Sequence, residues 1–189
     1  MKLAPTALPG VVVVEPRRFH DERGWFMESF NERKFGAALE AAGLPPAGRF
    51  VQDNLSRSHR HVLRGLHYQL PPHAQGKLVG VVHGKVWDVA LDVRRHSPTL
   101  GRWTGIELSA DSPRQLWVPP GFAHGFVVLS DEAVFSYKTT DFYDPASERA
   151  IRWDDPALGI EWPLPPGAAA QLAGKDREAP LLAGADLFD

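Results

Sequence analysis

Residues 63–69, Leu63-Arg64-Gly65-Leu66-His67-Tyr68-Gln69, have the apolar spacing of a half-buried strand, yet they carry an arginine, a histidine and a glutamine. Strict alternation sends Arg64 and Leu66 to one face and Gly65 and His67 to the other. Arg64 and His67 can share a face only if the strand is kinked between them. Gly65 is the residue that permits a bulge at that point. A single such histidine reads most simply as a solvated side chain. The same pattern recurs elsewhere, however: Gln52, Asn54, Lys77, Asp88, His124 and Tyr137 all interrupt strand-like apolar runs. Polar residues repeated at inward positions imply a polar pocket inside a β-barrel, and that reading decides the fold.

The flanking segments agree. Candidate strands follow at 11–14 and 25–30, then 49–55, 62–69, 77–83, 85–93, 102–108, 115–118, 124–129 and 133–141, separated by Gly, Pro, Asn and Asp. Asp21-Glu22-Arg23-Gly24 reads as a turn. His83-Gly84 and Ser130-Asp131 read as hairpin connections. One helix is expected over 32–42, with Asn31 as N-cap, Phe35, Leu39 and Ala42 on its apolar face, and Gly43 and Pro45-Pro46 ending it. The last forty residues carry few strand signals and read as an irregular wrap with one short helix. No repeat or linker composition divides the 189 residues, so the expectation is one domain over 1–189 with its core barrel at about 48–145.

Composition narrows the function classes. The chain has no cysteine, which removes disulfides, thiolate metal sites and a cysteine nucleophile, and fits a reducing compartment. Its 21 Lys and Arg against 23 Asp and Glu leave a net charge of −2. That balance argues against nucleic-acid or membrane-surface binding while leaving room for a local basic pocket. The N-terminal MKLAPTALPG is not a secretory signal, and no apolar run approaches a membrane span. A cytoplasmic protein is expected.

A second stretch, Trp117 to Phe126 (WVPPGFAHGF), carries the spacing Pro-x-Gly-x-x-His. This resembles the second signature of cupins, small jelly-roll barrels in which the turn aims the histidine inward. Metal-binding cupins add a His-x-His pair and a glutamate. His59-Arg60-His61 supplies the pair in form, but the next glutamate is Glu107 and the pair lies in a polar stretch, SRSHRH, that reads as a turn. A site for Zn or Fe on His59, His61 and His124 is therefore disfavoured, and no metal is expected.

A broader resemblance covers almost the whole chain in order. DERGWFMESF (21–30), FVQDNLS (50–56), VLRGLHYQ (62–69), QGKLV (75–79), GKVWDVALDVR (84–94), SPTLGRW (97–103), RQLWVPPGFAHGF (114–126), YKTTDFYDP (137–145), IRWDDPALGIEWP (151–163) and LAGKD (172–176) resemble the dTDP-4-dehydrorhamnose 3,5-epimerases. The resemblance implies an all-β, cupin-like jelly roll with one N-terminal helix and an irregular C-terminal segment. It also implies an isomerase that needs no cofactor. Its substrate would be dTDP-4-dehydro-6-deoxy-D-glucose, epimerised at C3 and C5 on the way to dTDP-L-rhamnose.

Residue by residue, the resemblance implies His67 as base, Asp176 as its carboxylate partner, Lys77 as the cation for the C4 oxyanion and Tyr137 as the acid on the opposite face. Tyr143 is the rival for that last role. Arg23, Glu28, Gln52, Asn54, Arg64, Lys77, His124, Glu148 and Lys175 are implied substrate-binding residues, with Phe19 and Phe26 available to pack against the base. The family also implies a homodimer whose N-terminal strands complete the neighbour's site, so that Arg23 and Glu28 act in trans. Asp88 is expected to face the barrel with Lys77 or His67 as its partner. Three alternatives stay open here: an epimerase of C3 or C5 alone, a metal-dependent cupin enzyme, and a non-catalytic sugar-nucleotide binder.

Overall fold

A computed structural model describes residues 1–189. In chain order the elements are β1 (Lys2–Pro5), β2 (Val12–Glu15), β3 (Arg18–Asp21), β4 (Gly24–Met27), α1 (Glu32–Ala41), β5 (Gln52–His59), β6 (Leu63–Gln69) and β7 (Lys77–His83). They continue with β8 (Lys85–Asp92), β9 (Trp103–Ser109), β10 (Gln115–Val118), β11 (Phe122–Val128), β12 (Glu132–Thr139), β13 (Glu148–Ala150), α2 (Gly174–Arg177) and a 3-10 turn at Leu182–Gly184. One sheet has the order β1-β2-β10-β7-β12-β5, the other β13-β6-β11-β8-β9, and β3-β4 forms a separate two-stranded ribbon. The fold is the all-β jelly roll expected from the sequence.

The alternation of side chains builds the layers. Inward residues of both sheets, among them Val79, Leu116 and Phe135 from one and Val86, Ala90 and Phe126 from the other, form the central core. The outward residues Val12, Val14, Leu78 and Trp117 of the first sheet are covered by Phe35 and Leu39 of α1. That helix starts as expected, with the Asn31 side chain accepting a hydrogen bond from the Lys34 amide. Burying these two side chains stabilises the helix by about 2 kcal/mol each. The outward face of the second sheet (Leu66, Tyr68, Val89, Leu91) is covered by the C-terminal segment through Leu158, Leu182 and Phe188. That wrap is irregular, as expected, and β13 and two isolated bridges tie it down.

Three expectations need correction. Neither His83-Gly84 nor Ser130-Asp131 is a hairpin: β7 and β8 lie in different sheets, as do β11 and β12, so both are corners between sheets. The two corners lock together, since Ser130 Oγ accepts from the Lys85 amide at 2.8 Å and donates to the Glu132 carbonyl at 2.6 Å. The stretch SRSHRH is mostly strand, with β5 running to His59 and the turn falling at Arg60-His61, where His61 has φ 64°. As the terminal strand of its sheet, β5 keeps a polar exposed face, and that polarity hid it. The strand expected at 25–30 ends at Met27, and its partner β3 was not anticipated.

Candidate active site

The kink in β6 builds the site. Opposite β11, His67 pairs with His124 and Arg64 with Phe126, so three steps along β6 match two along β11. The extra residue is the bulge anticipated at Gly65, whose φ is +126°. The bulge turns Arg64 and His67 to one side, and both line a cavity of about 400 Å³ between the sheets. This accounts for the polar chemistry in an otherwise buried strand.

The cavity also collects Gln52, Asn54, Lys77, His124, Tyr137, Tyr143, Glu148, Lys175 and Asp176, from both sheets and the C-terminal wrap. His67 Nε2 lies 2.5 Å from Asp176 Oδ1, and Asp176, on α2, is 1% exposed. An ionised carboxylate there draws the imidazole proton to Nε2 and leaves Nδ1 as the ring's basic nitrogen. The Lys77 ammonium spans from one sheet to the other, donating to the His67 carbonyl at 3.0 Å. Burial pulls its pKa down to about 8, with Glu148 and Asp88 acting to raise it and Lys175 to lower it.

Tyr137 stands on β12, paired with Asn54 and Val79, and so projects from the sheet opposite His67. Burial raises its phenol pKa. Glu148 accepts from Lys175 Nζ at 2.8 Å and from the Tyr143 hydroxyl at 3.2 Å. Its desolvation is more than offset by the Lys175 ammonium together with His67 and the Tyr143 hydroxyl, so its carboxyl sits below the usual range. Arg64 donates to Ser58 Oγ at 3.0 Å, Gln52 to Asn54 Oδ1 at 2.9 Å, and the Tyr143 amide to Gln52 Oε1 at 3.0 Å.

Other residues lie elsewhere. Arg23, at the tip of the exposed β3-β4 ribbon, pairs with Asp21, and Glu28 pairs with Lys34; neither lines the cavity of its own chain. Phe19 and Phe26 are exposed on the same ribbon. Asp88 does face the interior, but its partner is His124, whose Nε2 is 2.9 Å and 3.1 Å from the two carboxylate oxygens. Neither Lys77 nor His67 fills that place, because the diagonal cross-strand neighbour of Asp88 on β11 is His124. His59, His61 and His124 do not converge, and no set of three metal-ligating side chains is grouped anywhere in the chain. The sequence reading assigned no role to Ser56, Gln69 or Gln75, which also line the cavity. The period of two from Gln52 and Asn54 points straight to Ser56.

The comparisons with known proteins bear on this arrangement. The family model described as dTDP-4-dehydrorhamnose 3,5-epimerase matches residues 5–184. The chain belongs to the dTDP-4-dehydrorhamnose 3,5-epimerase family. A relative of that name from Pseudomonas aeruginosa is 56% identical over 100% of this chain and 99% of its own length. A crystal structure of the Legionella pneumophila 3,5-epimerase, in complex with dTDP-4-keto-L-rhamnose, matches with TM-score 0.90 and 49% identity, covering 98% of this chain and 94% of that one. A dTDP-4-dehydrorhamnose 3-epimerase from Streptomyces niveus is 40% identical over 98% of this chain and 86% of its own length. The chain is thus more similar to the two-carbon epimerase from Pseudomonas than to this one-carbon enzyme. No helix is long and apolar enough to cross a membrane.

Proposed function

We propose that the chain epimerises dTDP-4-dehydro-6-deoxy-D-glucose at C3 and C5, giving dTDP-4-dehydro-L-rhamnose. The observation that carries the mechanism is the placement of the His67–Asp176 pair and Tyr137 on opposite walls of one cavity, with the Lys77 ammonium inside it. Both reacting carbons flank the C4 ketone, so each proton is acidic enough to leave as an enolate forms. His67 Nδ1 takes the proton, and Asp176 stabilises the resulting imidazolium. Electrons from the broken C–H bond move onto the C4 oxygen, where Lys77 supplies the compensating charge. Tyr137, kept protonated by its buried setting, donates its proton to the other face of the carbon. Solvent then reprotonates the phenolate and removes the proton from the imidazolium. The cycle repeats at the second carbon.

Arg64, Lys77 and Lys175 make the cavity a basic pocket for the diphosphate, and Gln52 and Asn54 offer amide groups to the nucleotide. His124 and Glu148 complete the binding set. Arg23 and Glu28 act on the site of a second copy, carried there by the β3-β4 ribbon, in a homodimer. Support for this comes from the ribbon's pairing with neither main sheet and from the exposure of Trp25 (55%) and Phe26 (69%) on it. We further read the whole chain as one domain working in the reducing cytoplasm, consistent with its lack of cysteine.

Proton NMR of the reaction in D2O tests the function. Deuterium is expected at both C3 and C5 of the product. Label at one carbon alone makes the chain a single-carbon epimerase. Binding of dTDP-sugar with no exchange at either carbon makes it a binder.

A further inference from the structure

Of the three polar residues that make 63–69 unusual for a buried strand, Arg64 and His67 have their roles above and Gln69 has none. Gln69 is 4% exposed, and its side-chain amide is fully engaged. Nε2 donates to the His73 carbonyl at 2.6 Å and to the Phe142 carbonyl at 3.2 Å, and Oε1 accepts from the Asp144 amide at 3.0 Å. A carbonyl only accepts and a backbone amide only donates, so the side chain fits in one orientation and both of its N–H groups are committed. Phe142 and Asp144, the two turn residues it holds, flank Tyr143. Tyr143 in turn joins the two sheets: its amide donates to Gln52 Oε1 at 3.0 Å and its hydroxyl to Glu148 Oε2 at 3.2 Å. Gln52 opens β5, the end strand of one sheet, and Glu148 opens β13, the end strand of the other.

We propose that Gln69 is a positioning residue for substrate binding: it holds the turn at 142–144 so that Tyr143 sets Gln52 and Glu148 on opposite walls of the cavity. This rests on the reading of the cavity as the dTDP-sugar site, with Gln52, Asn54 and Glu148 among its binding groups. Beyond the turn itself and Glu148, the backbone of 142–144 bonds only to Gln69 and Gln52. Phe142 and Tyr143 are exposed, so no apolar packing of their side chains into the core replaces those bonds. The bond from Tyr143 also orients the amides of β5. With Gln52 Oε1 engaged, Nε2 is the atom that faces Asn54 Oδ1, at 2.9 Å, and Asn54 is left to offer its N–H groups to an acceptor on the ligand. Gln69 lines the cavity but has no free N–H, so it acts through these neighbours. The side chains of His67, Asp176, Lys77 and Tyr137 make no hydrogen bond to this turn, which leaves the chemical step outside its reach.

The test is Gln69→Leu, which removes all three bonds at similar side-chain size. His73 and Phe142 are exposed, so water can take over their carbonyls and the fold is expected to survive. KM for the dTDP-sugar is expected to rise about tenfold, with kcat within about twofold of the parent's. Gln52→Ala/Tyr143→Phe cuts both links from Tyr143 to the walls, and adding Gln69→Leu to that background is expected to change KM by less than about twofold. A lower melting temperature with KM unmoved makes Gln69 purely structural and overturns the inference. So does a fall in kcat at constant KM, which places its influence on His67, two residues away on the same strand. A tenfold rise in KM that persists in full in the Gln52→Ala/Tyr143→Phe background refutes the route through Tyr143. Calorimetry with dTDP separates these results from a failure of the underlying reading: an unsubstituted protein that binds no dTDP refutes the site assignment, and the inference with it. Should Gln69→Leu fail to fold, Gln69→Glu takes its place. Its carboxylate keeps the acceptor for Asp144 and loses both donors, with the same rise in KM expected and the same results counting against it.

Discussion

Lys77 is where stability and the proposed chemistry oppose each other most directly. The unfolded chain holds this proton with a pKa of 10.5, whereas burial brings the folded value to about 8. Between those two values the unfolded state binds more protons, so this residue's contribution to stability rises with pH across that window. Below pH 8 the cost of burying the ammonium is borne in full. Lys77→Met is therefore expected to stabilise the fold at pH 7 by about 1–3 kcal/mol, as read by urea denaturation, while turnover disappears. A variant no more stable than the parent would mean that the buried ammonium costs nothing. Asp176→Asn tests the neighbouring group. It leaves an amide beside His67 but removes the charge that stabilises the imidazolium, so kcat should drop by about 10²–10⁴ with dTDP affinity retained. A drop in affinity matching that in kcat would move Asp176 to substrate binding. The polar-in-apolar pattern marks Lys77 as an inward residue, whereas only the family resemblance points to Asp176. Nothing local marks Asp176, which lies in a polar four-residue helix far along the chain and meets His67 only after the C-terminal wrap closes.

Elements show where local sequence informs and where it falls short. The bulge in β6 was legible because alternation, Gly65 and two polar residues conflict unless the strand bends. Gly65→Ala is expected to destabilise the fold by about 2–4 kcal/mol, measured by thermal or urea unfolding, through strain and overpacking. An added Cβ would stand 2.5 Å from Gly125 Cα and 2.8 Å from the His124 carbonyl, at a φ of +126°. Activity should fall further than stability alone predicts, because Arg64 and His67 would no longer share a face. Full activity in a stably folded variant would show that the kink does not set the site. The two corners were not legible in the same way. Gly84, with φ +75°, satisfies a hairpin and a turn between sheets equally well. The Glu132 carbonyl only 2.1 Å from its would-be Cβ comes from the other corner, and no window around residue 84 contains it. Helix α1 was the easiest element to read, since its cap, apolar face and stop signals all lie within one short stretch.

At the scale of the whole molecule, two of the residues proposed to bind substrate lie outside the cavity of their own chain. Arg23 and Glu28 do not reach the cavity, while the exposed ribbon and the outward side chains Leu55 and Val82 present apolar surface that a monomer leaves in water. If the ribbon serves a second copy, each site draws His67 from one chain and Arg23 from the other. Two defective variants then complement each other. His67→Ala should be inactive, and Arg23→Ala should retain weak turnover through a raised KM. Unfolding and refolding an equal mixture produces mixed dimers in half of all pairings. In each mixed dimer one site carries both defects and the other carries neither. Turnover at subsaturating substrate is expected to recover to about one quarter of that of the unsubstituted protein. A ribbon folded onto its own chain predicts a different value, because each variant then keeps its defect in every pairing. The mixture would show only the average of the two parents, and sedimentation would separate that outcome from a failure to dimerise.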